Sequence, residues 1–196
     1  MAVFLDKTTT KVTWLRDDLP SVLVSAITNL RLALQKTPIY FEGNKRVKAH
    51  DLLESAKSRI PKYLGKHEID FMVLSEQEIS KHYNQVISKD RLDLFIQVSI
   101  DDSKWVVIVE FDSARADQVA KKFVSRVAQV PNSSLIYIAF CYSGTKSMNL
   151  NEVNKYFVYM ESISKSLNLA GFVGMAPPKN RGDIESSPNQ QLHQTP

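Results

Sequence analysis

Residues 93–130 constrain the fold of this chain more than any other segment, because they join two strand patterns to a helix pattern. Residues 92–100 alternate polar and apolar side chains, as expected for a strand with one face against a core. After a polar turn, residues 105–111 are almost entirely apolar and rich in valine, which is typical of an interior strand. A helix pattern with several basic residues follows at 114–129. The segment therefore predicts a β-hairpin that leads directly into a basic helix.

The predicted hairpin carries three carboxylates, Asp93, Glu110 and Asp112. A turn of two residues (102 and 103) or of four (101–104) would align Asp93 with Asp112, with Glu110 on the diagonal. All three side chains would then share one face, whereas a slip of one residue would move Asp93 to the other face. Carboxylates this close repel one another unless protons or a cation neutralise them. The pattern therefore predicts a site for a divalent metal ion such as Mg²⁺.

A second interpretation treats the three carboxylates as unrelated acids at strand ends. Asp112 or Ser113 would then cap the helix that begins near residue 114. Glu110 favours the metal site, because it follows five consecutive apolar residues and a lone carboxylate is costly in such surroundings.

The rest of the chain predicts an α/β (α+β) fold with a central mixed β-sheet flanked by helices on both faces. Residues 1–176 are expected to form a single domain, and the polar residues 177–196 a disordered tail. The predicted helices outside the central segment cover residues 19–36, 47–60 (ended by Pro61), 75–88 (with a capping box at Ser75 and Glu78) and 150–166. The further predicted strands cover residues 11–15, 39–46 with a break at 43–44, 135–142 and 169–175.

Composition narrows the function without deciding it. The 196 residues carry a formal net charge of +4, which is compatible with an anionic partner such as nucleic acid. The single cysteine, Cys141, lies in an apolar run and is expected to be a buried structural thiol. Neither a signal peptide nor a membrane span is predicted, so the expected location is cytoplasmic, without membrane contact. Phosphate-binding glycine motifs are missing from the sequence, and no nucleotide cofactor is expected.

The order D-x16-E-x-D, on two strands followed by a helix and an apolar strand, is similar to the core of the PD-(D/E)XK nuclease superfamily. Within that superfamily, VVIVEFDSARADQVAKKFVSRVA resembles type II restriction endonucleases in which Glu or Gln replaces the terminal lysine of the motif. The resemblance covers residues 47–142 and implies a restriction-endonuclease-like fold. Separately, the terminal PNQQLHQTP is similar to the run-on ends of reading frames carried in mobile integron gene cassettes.

The resemblance implies specific roles for the hairpin residues. Asp93 and Glu110, with the backbone carbonyl of Phe111, would bind Mg²⁺, or Mn²⁺ in its place. Asp112 would stand in the position of the lysine, near the attacking water. An aspartate can accept a proton or bind a second metal ion but cannot donate as lysine does. Asp112 therefore implies either a carboxylate that activates water or a site without catalytic power.

Residues outside the hairpin complete the predicted site. Glu54 is similar in placement to a glutamate that supplements the metal site in many members of the superfamily; the alternative is a solvated helix carboxylate. A compensating lysine could come from the helix after the hairpin, as Lys121 or Lys122. Four basic residues of that helix are candidates for binding nucleic acid, with a solvated face as the alternative. These residues are Arg115, Lys121, Lys122 and Arg126.

The predicted function is that of a Mg²⁺-dependent endonuclease that hydrolyses DNA phosphodiester bonds. A homodimer is expected because cutting both strands of a duplex requires two sites. The alternatives are a catalytically inactive nuclease-fold protein that binds nucleic acid or a protein partner, and a small interaction module in which the acids meet by coincidence.

Overall fold

The computed structural model describes residues 2–3, 9–37, 39–42, 45–46, 49–83, 90–130, 132–142, 148 and 150–176. The predicted tail at 177–196 and the predicted break at 43–44 lie outside these residues. The strands are β1 (Ala2–Val3), β2 (Thr9–Trp14), β3 (Ile39–Glu42), β4 (Lys45–Arg46), β5 (Asp70–Glu78), β6 (Arg91–Ile100), β7 (Ser103–Asp112), β8 (Leu135–Cys141) and β9 (Gly171–Ala176). The helices are α1 (Ser21–Gln35), α2 (Ala49–Leu64), α3 (Ile79–Tyr83), α4 (Ala116–Val127) and α5 (Leu150–Ser166), with a 3-10 turn at Asn132–Ser134.

A six-stranded mixed sheet forms the centre of the fold, in the order β2-β9-β8-β7-β6-β5. Strand β8 runs parallel to both neighbours, β7 and β9, whereas the other pairs are antiparallel. Strands β1, β3 and β4 form a small separate sheet. The hairpin β6–β7 thus lies inside the large sheet, and all seven residues of the adjacent β8 are buried.

Helices cover both faces of the large sheet. On one face, α1 and α2 pack through residues such as Leu30 and Leu52 against Val107 and Val109 of β7. On the other face, α4 and α5 pack through residues such as Phe123 and Phe157 against the opposite side of the strands. The predicted mixed sheet with helices on both faces is confirmed. Within the described residues, no helix is long and apolar enough to cross a membrane.

The register of the β6–β7 hairpin differs from the predicted one by two residues. Leu94 pairs with Val109 and Ile100 with Ser103, so the turn consists of Asp101 and Asp102. Asp101 adopts a φ of 50°, the left-handed conformation that two-residue hairpin turns require at their first position. A shift of two residues keeps every side chain on its predicted face, because the strand period is two. It brings Glu110, rather than Asp112, opposite Asp93.

The predicted helix at 75–88 is wrong over its first four residues, because Ser75–Glu78 belong to strand β5. There Ser75 pairs with Leu94 and Glu78 with Arg91, at the edge of the large sheet. Only Ile79–Tyr83 are helical, and 84–89 lie outside the described residues. Pairing with β6 and the contacts of Phe71 with the core outweigh the local capping pattern.

The predicted end of α2 before Pro61 is also wrong, because the helix continues to Leu64 with Pro61 inside it. Proline removes one backbone hydrogen bond there. Ile60 and Leu64 are fully buried, and Gly65 N–H closes the last turn by donating to the Pro61 carbonyl at 2.9 Å. Burial of these apolar side chains offsets the missing bond.

Candidate functional site

The three predicted carboxylates lie on the face of the sheet that α4 covers. Val109 and Phe111 of β7 pack toward α1 and α2, so the alternate residues Glu110 and Asp112 point toward α4. Asp93 on β6 reaches the same place, where its Oδ2 accepts a 2.8 Å hydrogen bond from Phe111 N–H. We call Asp93, Glu110 and Asp112 the carboxylate cluster.

The ammonium of Lys122 lies at the centre of the carboxylate cluster. Its Nζ is 3.3 Å from Asp93 Oδ2, 3.2 Å from Glu110 Oε2 and 3.0 Å from the Phe111 carbonyl oxygen. Asp112 Oδ2 is more distant, at 3.9 Å. The oxygens of Asp93, Glu110 and Phe111 therefore surround a single point, here called the cation position. Of the two lysines that the sequence left open, Lys122 faces these acids.

Arg126, one helical turn after Lys122, holds the other oxygen of Glu110. Its Nε donates to Glu110 Oε1 at 2.9 Å, and its Nη2 donates to the Arg91 carbonyl at 2.7 Å. Its Nη1 lies 2.9 Å from Asp90 Oδ2. Arg126 is buried, so the structure places this predicted nucleic-acid-binding residue inside the protein, beside the carboxylate cluster. The two oxygens of Glu110 thus contact different cations, Oε1 contacting Arg126 and Oε2 contacting Lys122.

The electrostatics of Glu110 are unusual for a carboxylate. Burial, reinforced by the charge of Asp93, raises the pKa of Glu110 to about 7 although Lys122 and Arg126 oppose the shift. Glu110 Oε2 lies within ion-pair distance of Lys122, but it has no hydrogen bond to any of the described residues. A buried carboxylate oxygen without a hydrogen bond is costly and favours a cation at this position.

Lys122 and Arg126 show the opposite balance. Burial disfavours their charged forms, but the surrounding carboxylates, Glu110 first, outweigh it and raise the pKa of both side chains. Both cations are therefore charged at neutral pH. With Asp90 included, four carboxylates contact these two cations. When all are ionised, the group carries an excess of negative charge.

Asp112 differs from the other two members of the carboxylate cluster. Its Oδ1 accepts a 2.9 Å hydrogen bond from Ala114 N–H in the loop before α4. The helix itself begins at Ala116, and no side chain of the described part of the chain caps it. Asp112 thus fixes the loop after β7, while its Oδ2 stays at the margin of the cation position.

The remaining predicted site residues lie elsewhere. Glu54 is exposed on α2, which packs on the opposite face of the sheet, and the fold does not bring it to the carboxylate cluster. Arg115 and Lys121 project from α4 and the residue before it, with side chains 62% and 67% exposed. Both contact Asp117, at 2.8 Å and 3.4 Å respectively.

The residues at the cation position fit Mg²⁺, although they offer few ligand oxygens. Among the described residues, no three side chains of His, Cys, Asp or Glu are placed to share one metal ion. Two carboxylates and one carbonyl do converge, from Asp93, Glu110 and Phe111. Mg²⁺ is commonly bound by one or two carboxylates and retains several water molecules. Oxygen ligands lie about 2.0–2.1 Å from Mg²⁺. The oxygens of Asp93, Glu110 and Phe111 would therefore lie closer to a bound Mg²⁺ than they do to Lys122 Nζ.

Two residues near the carboxylate cluster had no signal in the sequence. Asp90 accepts from Ser125 and pairs with Arg126. Tyr137 of β8 is fully buried, and its hydroxyl has no hydrogen bond to any residue that the structure describes. Burial, followed by the charge of Glu110, raises the pKa of Tyr137 well above 10. Cys141, also on β8, is a buried free thiol as predicted.

Comparisons with known proteins found similarity to a solved structure but no matching sequence family. No family model and no curated protein sequence matches it. Among solved structures, the crystal structure of free BglII is similar, with 10% sequence identity and a TM-score of 0.42. The match covers 88% of this chain and 80% of BglII. Because the identity is so low, this similarity assigns no function to the chain, and the function has to be inferred from its own residues.

Proposed function

We propose that this chain is a metal-dependent nuclease that hydrolyses phosphodiester bonds of DNA at the carboxylate cluster. The observation that carries the proposal is the convergence of Asp93 Oδ2, Glu110 Oε2 and the Phe111 carbonyl on one cation, within 3.0–3.3 Å. Glu110 lies on an otherwise apolar stretch of strand and is only 2% exposed. A carboxylate is seldom kept at such a position without a partner of opposite charge.

Mg²⁺, or Mn²⁺ in its place, would polarise the phosphate and lower the pKa of a bound water. Asp93, Glu110 and the Phe111 carbonyl would hold the ion. Arg126 would fix Glu110 through Oε1, so that Oε2 faces the cation position. Asp112, anchored to Ala114 by its other oxygen, would orient the attacking water or accept its proton.

Exposed cations on α4 and just before it support a nucleic-acid substrate, since α4 also carries Lys122. Arg115 and Lys121 lie at the start of α4 and along it, near Lys122, and each can exchange its contact with Asp117 for a phosphate. Arg126 is excluded from this role by its burial. A homodimer remains part of the proposal, since Val158 and Tyr159 of α5 are half-exposed apolar residues suited to a contact.

A second candidate function is a catalytically inactive protein of the same fold that binds nucleic acid or a protein partner. Lys122 and Arg126 favour it, because they already contact Glu110 from both sides. In that protein, the ion pairs would be structural and the cluster would need no metal ion.

Cleavage of supercoiled plasmid DNA in Mg²⁺ tests the proposal. The variant Asp93→Asn removes one ligand charge but preserves the side-chain shape. Asp101→Asn is the matched control, because Asp101 lies at the turn of the same hairpin and asparagine tolerates its positive φ. We expect nicking by the wild type and by Asp101→Asn, and a loss of about a hundredfold or more for Asp93→Asn.

The absence of cleavage by the wild type, with Mg²⁺ and Mn²⁺ and with both DNA and RNA substrates, would exclude the nuclease. DNA binding that is equal in the wild type and in Asp93→Asn, without cleavage, would instead support the inactive protein. Thermal unfolding of each variant without metal verifies that the chain remains folded.

A further inference from the structure

Lys122 and a metal ion need the same oxygens. The ammonium group has three protons, and two of them serve Asp93 Oδ2 and the Phe111 carbonyl oxygen, which lie at 3.3 Å and 3.0 Å. Glu110 Oε2 is a third neighbour at 3.2 Å. These are the donors that fit Mg²⁺, and two cations cannot share a point that is surrounded so closely.

From this overlap we infer that Lys122 is a built-in counter-ion, which holds the cation position in the metal-free chain and must leave it before a divalent ion binds. The inference rests on the proposed function, because it requires a metal ion at the carboxylate cluster. The affinity for the metal ion then depends on competition with the Lys122 side chain for the same oxygens.

Lys122 can leave, whereas Arg126 cannot. The Lys122 side chain is 30% exposed and ends on a flexible stem, so a path to solvent exists. Arg126 is 10% exposed and is held by Glu110, Asp90 and the Arg91 carbonyl together. Departure of Lys122 therefore leaves Glu110 fixed through Oε1, with Oε2 still directed at the cation position.

This exchange favours divalent ions over monovalent ones. A monovalent ion would replace the ammonium charge with an equal charge, so its electrostatic attraction to the carboxylates would be no greater. A divalent ion adds one positive charge to a group in which carboxylates outnumber cations. Lys122, once free on the solvent side of α4, becomes an additional cation for a phosphate.

Isothermal titration calorimetry with Mg²⁺ and with Mn²⁺ on the full chain tests this inference. Lys122→Met keeps the apolar stem and removes the competing charge. Lys165→Met is the matched control, since Lys165 lies 3.1 Å from Glu161 on α5 and its replacement changes the net charge equally. We expect Lys122→Met to bind metal at least about tenfold more tightly than the wild type, since a charged hydrogen bond no longer competes. Lys165→Met should match the wild type.

A second readout is the rise in melting temperature on adding Mg²⁺. It should be larger for Lys122→Met than for the wild type, because the metal-free variant lacks its internal counter-ion. Lys122→Gln provides the same comparison with a polar side chain, should Lys122→Met not fold.

Equal or weaker metal binding by Lys122→Met and Lys122→Gln, with measurable binding by the wild type, would overturn the inference alone. Plasmid cleavage by the wild type in the same buffer would then still support the nuclease. If neither the wild type nor the variants bind Mg²⁺ or Mn²⁺, both the inference and the proposed function fail.

Discussion

Arg126 Nε donates a 2.9 Å hydrogen bond to Glu110 Oε1, and this bond leaves Oε2 as the oxygen that faces Lys122. The pair links α4 to the centre of the sheet, with side-chain exposures of 10% and 2%. A buried ion pair is weak evidence of stability by itself, but breaking it by removing one partner leaves an uncompensated charge. We therefore expect Arg126 to stabilise the fold by pairing with Glu110.

Replacement of Arg126 by methionine should lower the free energy of unfolding by up to about 3–5 kcal/mol, since buried Glu110 loses its hydrogen-bonded guanidinium partner and keeps Lys122 as its neighbouring cation. Urea denaturation measures the decrease. The exposed Arg115→Met should change stability by no more than about 0.5 kcal/mol. Adding Glu110→Gln to Arg126→Met should recover part of the stability, and strictly additive effects would show that the two side chains are not coupled.

The stability of the metal-free chain should fall as the pH rises through neutrality, because of Glu110. Its pKa is about 7 in the folded chain against an ordinary value of 4.5. The folded state thus binds the additional proton between these values, and the stabilisation is complete below about pH 4.5 and absent above about pH 7. The wild type should lose up to about 3 kcal/mol relative to Glu110→Gln over this range, since one pKa unit corresponds to about 1.4 kcal/mol.

Urea denaturation of both proteins at about pH 5 and about pH 8 gives this difference. Glutamine keeps an oxygen that can accept from Arg126 but cannot ionise, so it isolates the titration of Glu110. A difference that stays constant over the two pH values would mean that Glu110 titrates normally.

The sequence was sufficient for most elements of the sheet and for the face that the acids share. Helix α5 was predicted with its observed bounds, and the alternation along β6 placed Asp93 correctly. The register was missed because the turn residues Asp101 and Asp102 include no glycine or asparagine, the residues that usually mark a positive φ. The last four residues of β5 were predicted as helix because the capping pattern of Ser75 and Glu78 is a local signal, whereas the pairing of β5 with β6 is not.

The opposite orientations of the basic residues of α4 could have been found from helical spacing. Val119 and Phe123 are buried, and Lys122 and Arg126 lie three residues after each of them, beside the apolar stripe. Lys121 shares a different side with Asp117, four residues earlier. The partners of Lys122 and Arg126 could not be found in this way, because they belong to strands that only the tertiary fold brings beneath α4.

Asp112→Asn should separate catalysis from structure. Asparagine retains an oxygen for the Ala114 hydrogen bond, so stability should stay within about 1 kcal/mol of the wild type. It cannot accept the proton of the attacking water, and DNA cleavage should fall by about 10²- to 10⁴-fold. Plasmid nicking rates measure this, with Asp101→Asn as the control. Cleavage by Asp112→Asn at the wild-type rate would exclude Asp112 as a base.

Removing Arg115 and Lys121 together, as a double alanine variant, should weaken DNA binding and make it less sensitive to salt. For each phosphate that no longer meets a cation, the slope of log affinity against log salt should fall by about 1. Fluorescence anisotropy with a labelled duplex at several salt concentrations measures both quantities. Asp117→Asn should act in the opposite direction, because it releases both cations from their acidic partner.

The matched control for that double variant is the replacement of Lys62 and Lys66 by alanine. Both are exposed, in or just after α2 on the opposite face of the sheet, and their removal changes the net charge equally. If the two double variants weaken DNA binding alike, the effect comes from net charge, and the surface around Arg115 and Lys121 is not the binding site. A decrease confined to the Arg115 and Lys121 variant would place DNA on the helix that carries Lys122, where a phosphate could come within reach of the carboxylate cluster.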